Sequence, residues 1–193
     1  MTPAVGVRER KQRETRRRIA ETGLQLFLTH GYEATTLDAI AAEAGISRRT
    51  FFSYFKSKDD LVLAWQEAAW DAIWADLLAV SPDENPLDAV RGTLLKHVAQ
   101  YESERMIALD KVMRASETLA SRKQSFYVAQ EEALHAVLCE VWRQPQRRNA
   151  LRIVAMVSIG AMRLAIEAWG KQGGERPAAW FLEEAFASLR AEI

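Results

Sequence analysis

Apolar residues recur at the spacing of one helix face almost from end to end of this 193-residue chain. Nowhere do they alternate with polar residues at the period of a half-buried strand, and β-branched residues do not cluster. A chain patterned this way can bury its apolar stripes only by packing helix on helix. The expected fold class is all-α, with about nine helices.

The helix boundaries follow from local chemistry. Residues 1–7 read as a frayed end, and a first helix spans Arg8 to Thr29. Ile19, Gly23, Leu26, Phe27 and His30 share its face, and Gly31 stops it. Thr36 can cap a short second helix, because its hydroxyl can accept an orphan backbone N–H. Leu37, Ile40, Ala41 and Ala44 form the apolar stripe of that helix, and Gly45 ends it. Ser47 caps a third helix, RRTFFSYF. Ser57 caps a fourth through SKDD, a capping-box pattern with Asp60 in place of the usual glutamate. The fourth helix, 58 to about 80, has few polar interior positions and reads as buried on more than one side. After the turn SPDENP, helices are expected at about 86–102, 104–116, 119–143, 146–171 and 177–191, with breaks at Pro145, Gly170, the glycines at 173–174 and Pro177.

Charge divides the chain. Residues 1–58 carry 11 Lys+Arg against 6 Asp+Glu, and residues 59–193 carry 15 against 20. A basic head on an acidic body points to nucleic acid as a partner of the head. Cys139 is the only cysteine, so neither an intrachain disulfide nor a cysteine-cluster metal site is available. No uninterrupted apolar run reaches a membrane span, and no apolar region follows the N-terminal arginines. The expectation is a cytoplasmic protein with no membrane partner, no metal and no cofactor.

The segment from Thr36 to Phe55 has the parts of a helix-turn-helix: two short capped helices about a glycine turn. Ala41 and Ala44 permit close approach. Ile46, Phe51, Phe52 and Phe55 are the expected apolar anchors. Arg48, Arg49, Thr50, Ser53 and Tyr54 are left to face a groove, where arginine reads guanine and grips phosphate. In front lies the basic run RERKQRETRRR, residues 8–18. Such a run is more often a solvated face, but beside this segment it reads as an electrostatic arm.

Residues 31–62, GYEATTLDAIAAEAGISRRTFFSYFKSKDDLV, resemble the N-terminal signature of TetR-type regulators. The resemblance implies an all-helical homodimer whose first three helices bind the DNA major groove. It implies a helix-turn-helix domain over 8–57 and an effector-binding and dimerisation domain over 58–193. By position, Thr36 would cap its helix and reach a phosphate, and Ser47 would cap the recognition helix. Arg48, Arg49, Thr50 and Ser53 would lie nearest base edges and backbone, and Tyr54 and Lys58 would meet phosphates. Three positions depart from the common pattern. Arg49 stands where glycine is frequent, Phe52 where a phosphate-binding tyrosine is frequent, and Ser53 where histidine is common.

Trp74, Trp142, Trp169 and Trp180 and the methionines at 106, 113, 156 and 162 give the body an aromatic and adaptable interior. Such residues are usually core; as a pocket they would suit an apolar effector. The residues chosen for that pocket are Trp65, Trp70, Met106 and Met113. The stretches ERMIALDKVMRASETLASRKQSFYVAQEEALHAV and IGAMRLAIEAWGKQGGE are similar to mycofactocin-type TetR regulators. That subgroup implies an acyl-CoA-like effector. The last two helices are candidates for dimerisation through Ala155, Ser158, Ala161 and Ala165, with Leu151, Val154, Met162, Trp180, Phe181, Ala185 and Leu189 as apolar contacts. Such a pair can pack inward or against a partner, and sequence leaves both open.

An enzyme is disfavoured: His30, His97 and His135 are dispersed, and no metal-ligand, nucleophile-elbow or P-loop motif is present. A helical binding module without DNA recognition, and an architectural DNA binder without an effector, are the remaining rivals. The first is opposed by the set Arg48, Arg49, Thr50, Tyr54 and Lys58, the second by the long tryptophan-rich body.

Overall fold

The computed structural model describes residues 6–100, 107, 110–113, 116–173 and 175–192, and none of them lies in a β-strand. The helices are α1 (Val7–His30), α2 (Leu37–Glu43), α3 (Arg48–Tyr54), α4 (Lys58–Leu78), α5 (Pro86–Val98), α6 (Glu117–Val141), α7 (Arg148–Lys171) and α8 (Ala178–Glu192), with a 3-10 turn at Pro145–Arg147 before α7. Residue 107 and residues 110–113 are also helical, Ser116 is not, and the remainder of the helix expected over 104–116 lies outside the described residues. The all-α expectation holds. Helix α5 ends at Val98 rather than near 102, and α6 begins at Glu117 rather than 119. The Ser116 hydroxyl accepts the Leu119 N–H at 3.3 Å, a start signal the periodicity alone does not carry.

The chain forms two compact units. One comprises Met1–Ala69 and Val112–Ala120, the other Trp70–Lys111 and Ser121–Ile193. Ile19 and Phe27 of α1, Ile40 and Ala41 of α2, Phe51 of α3, Phe55, Leu61 and Val62 of α4, and Leu119 make the core of the first unit. Gly23 makes the close contact between α1 and α4 possible. A methyl group there would sit 2.5 Å from a Leu61 Cδ atom.

The second unit closes over Trp70, Trp74, Leu77, Val90, Leu94, Leu134, Leu138, Trp142, Leu151, Ile159, Trp169, Phe181 and Phe186. Two of its tryptophans have their indole N–H satisfied. Trp74 donates to Gln130 Oε1 and Trp142 to the Glu84 carbonyl, each at 3.2 Å. At its surface the Asp76 carboxylate accepts from Lys96 at 2.7 Å and lies 2.9 Å from His97 Nε2. The Lys96 bond, then the His97 bond, hold that carboxyl below its ordinary range.

Helix α7 carries most of the residues expected at the dimer face on its inward side. Leu151, Ala155, Ser158, Ala161 and Ala165 of α7 and Phe181 of α8 are buried inside their own unit. Val154, Met162, Ala185 and Leu189 are half-buried against the same core. The stripe chosen from sequence is therefore mostly the inward one. Among the described residues, the large apolar side chains left uncovered on these two helices are Ile153, Met156 and Leu164 of α7 and Trp180 of α8. The stretch Pro145–Lys171 is apolar enough by composition to cross a membrane, at a mean hydropathy of 1.5. Its composition has a simpler origin: one apolar face fills the core of its own unit and a second faces outward. Arg152, on the same helix, pairs with Glu131 at 3.3 Å.

Candidate nucleic-acid interface

The reading segment is held together by its caps. The Thr36 hydroxyl accepts the Ala39 N–H at 3.1 Å. The Ser47 hydroxyl accepts the Thr50 N–H at 3.1 Å and lies 2.8 Å from the Thr50 hydroxyl. Between them Gly45 adopts φ 65°, a conformation that costs glycine little and other residues more. The Gly45 and Ile46 N–H groups close the turn onto the Ala42 and Ala41 carbonyls, each at 3.0 Å. At the next junction the Ser57 hydroxyl accepts the Asp60 N–H at 3.1 Å. The Asp60 carboxylate reaches back to the Lys56 N–H at 3.1 Å, one residue beyond the reciprocal bond of an ordinary capping box.

Helix α3 is two-sided. Phe51 is buried, as is Phe55 just beyond the helix. Arg48, Arg49, Phe52 and Ser53 are exposed, so they lie on the outer face. Phe52 is thus not an anchor: it is 42% exposed, because the turn that buries Phe51 swings its neighbour outward. Instead Phe52 lies under Arg48, whose guanidinium carbon stands 5.6 Å from the ring centroid. Arg48 is also paired with Asp38 of α2 at 3.0 Å. Among the described residues Arg49 has no such partner. The Ser53 hydroxyl donates to the Thr50 carbonyl at 2.6 Å.

Tyr54 is half-buried and opens onto a shallow groove of about 630 Å³ lined by Arg8, Lys11, Gln12, Thr15 and Tyr54. Every one of these side chains can donate a hydrogen bond and two are cations, the chemistry of a phosphate seat. The basic run at 8–18 is thus the first turns of α1, and its turn-spaced residues supply one wall of the groove. The sequence reading missed this pairing with Tyr54; the spacing of Arg8, Lys11, Gln12 and Thr15 was the available signal. Not every cation of the run is free for DNA. Arg16 stacks 5.1 Å from the Phe55 ring centroid and lies 3.6 Å from Glu67.

Lys58 has an internal partner that the sequence did not announce. Its ammonium donates to the Tyr32 carbonyl at 2.6 Å and sits 4.4 Å from the Tyr32 ring centroid. The Tyr32 hydroxyl donates to Asp59. Burial first, and that carboxylate second, push the Tyr32 phenol above its ordinary range. Tyr32 therefore clamps the start of α4 beside the loop after α1.

Residues 19–65 match the family model described as bacterial regulatory proteins, tetR family. Over these residues the chain is similar to that family's N-terminal domain. It is 41% identical over 87 residues to the HTH-type transcriptional regulator TcmR of Streptomyces glaucescens, covering 45% of this chain and 38% of TcmR. It is 40% identical over 50 residues to the putative mycofactocin biosynthesis transcriptional regulator MftR of Mycobacterium tuberculosis, covering 26% of this chain and 25% of MftR. The chain thus spans well under half the length of these relatives. The fold also matches that of the transcriptional regulator FadR of Bacillus subtilis in complex with stearoyl-CoA. The TM-score is 0.58 at 15% identity, over 91% of this chain and 98% of that one.

The expected effector residues fall in different places. Trp65 and Met113 pack, half-buried, on the core of the first unit. Trp70 is buried in the second unit, where its ring meets Trp74 at 4.9 Å and Phe126 at 6.1 Å. Met106 lies outside the described residues.

Proposed function

We propose that this protein is a TetR-type transcriptional repressor that binds a palindromic double-stranded operator as a homodimer and releases it on binding a small apolar effector. The observation that carries the reading is α3: a recognition-length helix, capped by Ser47, with Arg48, Arg49 and Ser53 on its uncovered face and the basic Tyr54 groove at its end. Residues 8–57 are the reading head; residues 58–193 serve the effector and the second subunit. Thr36, Tyr54 and Lys58 meet phosphates, and Arg49 supplies the contact that Phe52 cannot make.

The dimer face is the outward side of α7, with Ile153, Met156 and Leu164, joined by Trp180 of α8. Uncovered apolar side chains on adjacent helices favour a second copy. Two recognition helices then enter major grooves about one helical turn apart, roughly 34–36 Å, or a multiple of it. An effector lowers operator affinity by favouring a dimer whose recognition helices are spaced less well for DNA. Helix α4 is the lever, because it begins at Lys58 and continues without a break to Trp70 and Trp74. An acyl-CoA-type effector is supported by the fold shared with FadR, which is in complex with stearoyl-CoA.

A gel-shift titration on DNA flanking the coding region, at two salt concentrations, tests the reading. The expected result is retention of one duplex over random competitor at the higher salt. Equal loss of both duplexes would leave only electrostatic binding. If acyl-CoAs bind but operator affinity stays constant, the effector coupling is wrong.

A further inference from the structure

One side chain on the uncovered face of α3 is unlike its neighbours. Arg48, Arg49 and Ser53 can donate hydrogen bonds there, whereas Phe52, 42% exposed, offers only a hydrocarbon ring. A single exposed aromatic is ordinary on a protein surface, but this one is held in place. Its ring meets the buried Phe51 ring edge to face, with centroids 5.8 Å apart. Arg48 lies over it, the guanidinium carbon 5.6 Å from the centroid. Asp38 of α2 in turn holds Arg48 at 3.0 Å. These four side chains form a fixed array that runs from the core of the first unit to its surface.

In a major groove such a ring has few partners. Phosphates and most base-edge groups ask for hydrogen bonds, which a phenyl ring cannot make. Among the four bases only thymine presents an apolar group there, its C5 methyl. We propose that Phe52 is a specificity-determining residue of α3. Its ring packs on a thymine methyl and at the same time fixes Arg48 over a guanine in the adjacent base pair. The proposal rests on reading α3 as the recognition helix, and it names what that helix reads.

The array has the geometry for both contacts. The bond to Asp38 engages Nη1 of Arg48. The edge formed by Nε and Nη2 is left for guanine O6 and N7, the paired acceptors that arginine reads. Neighbouring base pairs lie about 3.4 Å apart along the duplex. A cation and a ring separated by 5.6 Å therefore address two neighbouring pairs rather than one. The missing hydroxyl at position 52 also has a use: no polar atom loses its water when the ring meets the methyl.

A pool of randomised duplexes is selected on the full chain, and the enriched site is rebuilt with deoxyuridine at each thymine in turn. That exchange deletes the methyl and leaves base pairing intact. The enriched half-site should hold a thymine in the pair next to a guanine. Deoxyuridine at that thymine should weaken binding about fourfold, the scale of one methyl group taken out of water. In Phe52→Ala the thymine and deoxyuridine duplexes should bind alike, with the salt slope unmoved because no phosphate contact is lost. Phe52→Leu keeps hydrocarbon but puts no ring under Arg48. It should retain part of the thymine preference and discriminate less when the guanine pair is exchanged for an adenine pair. The proposal is overturned if the enriched site has no thymine beside a guanine, or if no deoxyuridine exchange changes the parent's affinity, an arm that needs no variant. It is also overturned if Phe52→Ala keeps the parent's ratio between the two duplexes, or if Phe52→Leu discriminates the guanine like the parent. Enrichment of no sequence at all rejects α3 as a recognition helix; specific binding that is indifferent to the methyl rejects Phe52 alone.

Discussion

Helices α3 and α7 bury their apolar sides by different rules, and the difference decides what each region can be asked to do. In α3 the covered side is Phe51, with Phe55 just beyond the helix, and the open side is polar apart from Phe52. A helix of that kind presents groups to a charged polymer. In α7 both sides are apolar: Leu151, Ile159 and Trp169 go inward, and Ile153, Met156 and Leu164 face out. That pattern asks for a second protein surface.

The comparison breaks most severely if α3 is not held by its inward ring. Phe51→Ala removes a fully buried aromatic side chain, and such deletions cost about 3–5 kcal/mol. Chemical denaturation should show a loss of that size together with lost DNA binding. A change below about 1 kcal/mol would mean the site collapses around the gap and Phe51 is not the anchor.

The α7 half is sharpened by charging one side and overfilling the other. Leu164→Asp, on the outward face, should convert a dimer to monomer in sedimentation while leaving helicity intact. Ala161→Leu, on the inward face, should lower stability by about 1–3 kcal/mol through overpacking and leave the oligomeric state alone. The reverse pattern would restore the face first chosen from sequence.

These two helices also show what was legible beforehand. The caps at Thr36 and Ser47, the turn at Gly45 and the arginines of α3 are local, so spacing alone revealed them. The faces of α7 were not legible. Its apolar residues run nearly all the way round, and which of them a neighbour covers depends on elements far away in sequence. Ala155 and Ser158 looked like interface because small residues allow close approach; their neighbours turned out to be in the same unit. Phe52 failed for the opposite reason, since an aromatic next to Phe51 reads as core until the turn direction is fixed. Lys58's bond to the Tyr32 carbonyl joins residues 26 apart, beyond the reach of any short pattern.

On the open side of α3 the two arginines make a finer comparison. Arg49 is unpaired among the described residues. If it grips a phosphate, Arg49→Ala should lower the salt slope by about 0.9 and weaken all duplexes alike. If instead it reads a base, the loss should be about 1–3 kcal/mol at one operator position, with specificity relaxed there.

Arg48 should behave differently, because it arrives already committed. Asp38 holds it at 3.0 Å and Phe52 lies beneath it. The pair is exposed on both sides, 67% and 61%, so it contributes little stability, about 0–1 kcal/mol. Its effect is on direction: the guanidinium is fixed over Phe52 and its charge is partly cancelled before DNA arrives. Asp38→Asn should therefore leave the melting temperature nearly unchanged and raise affinity for random duplex by about twofold, the scale of one weak surface pair. Operator preference should fall, since a freed Arg48 samples neighbouring phosphates as well as its own position. Unchanged random-duplex affinity together with unchanged preference would show that Asp38 restrains nothing, and the two arginines of α3 would then be equivalent.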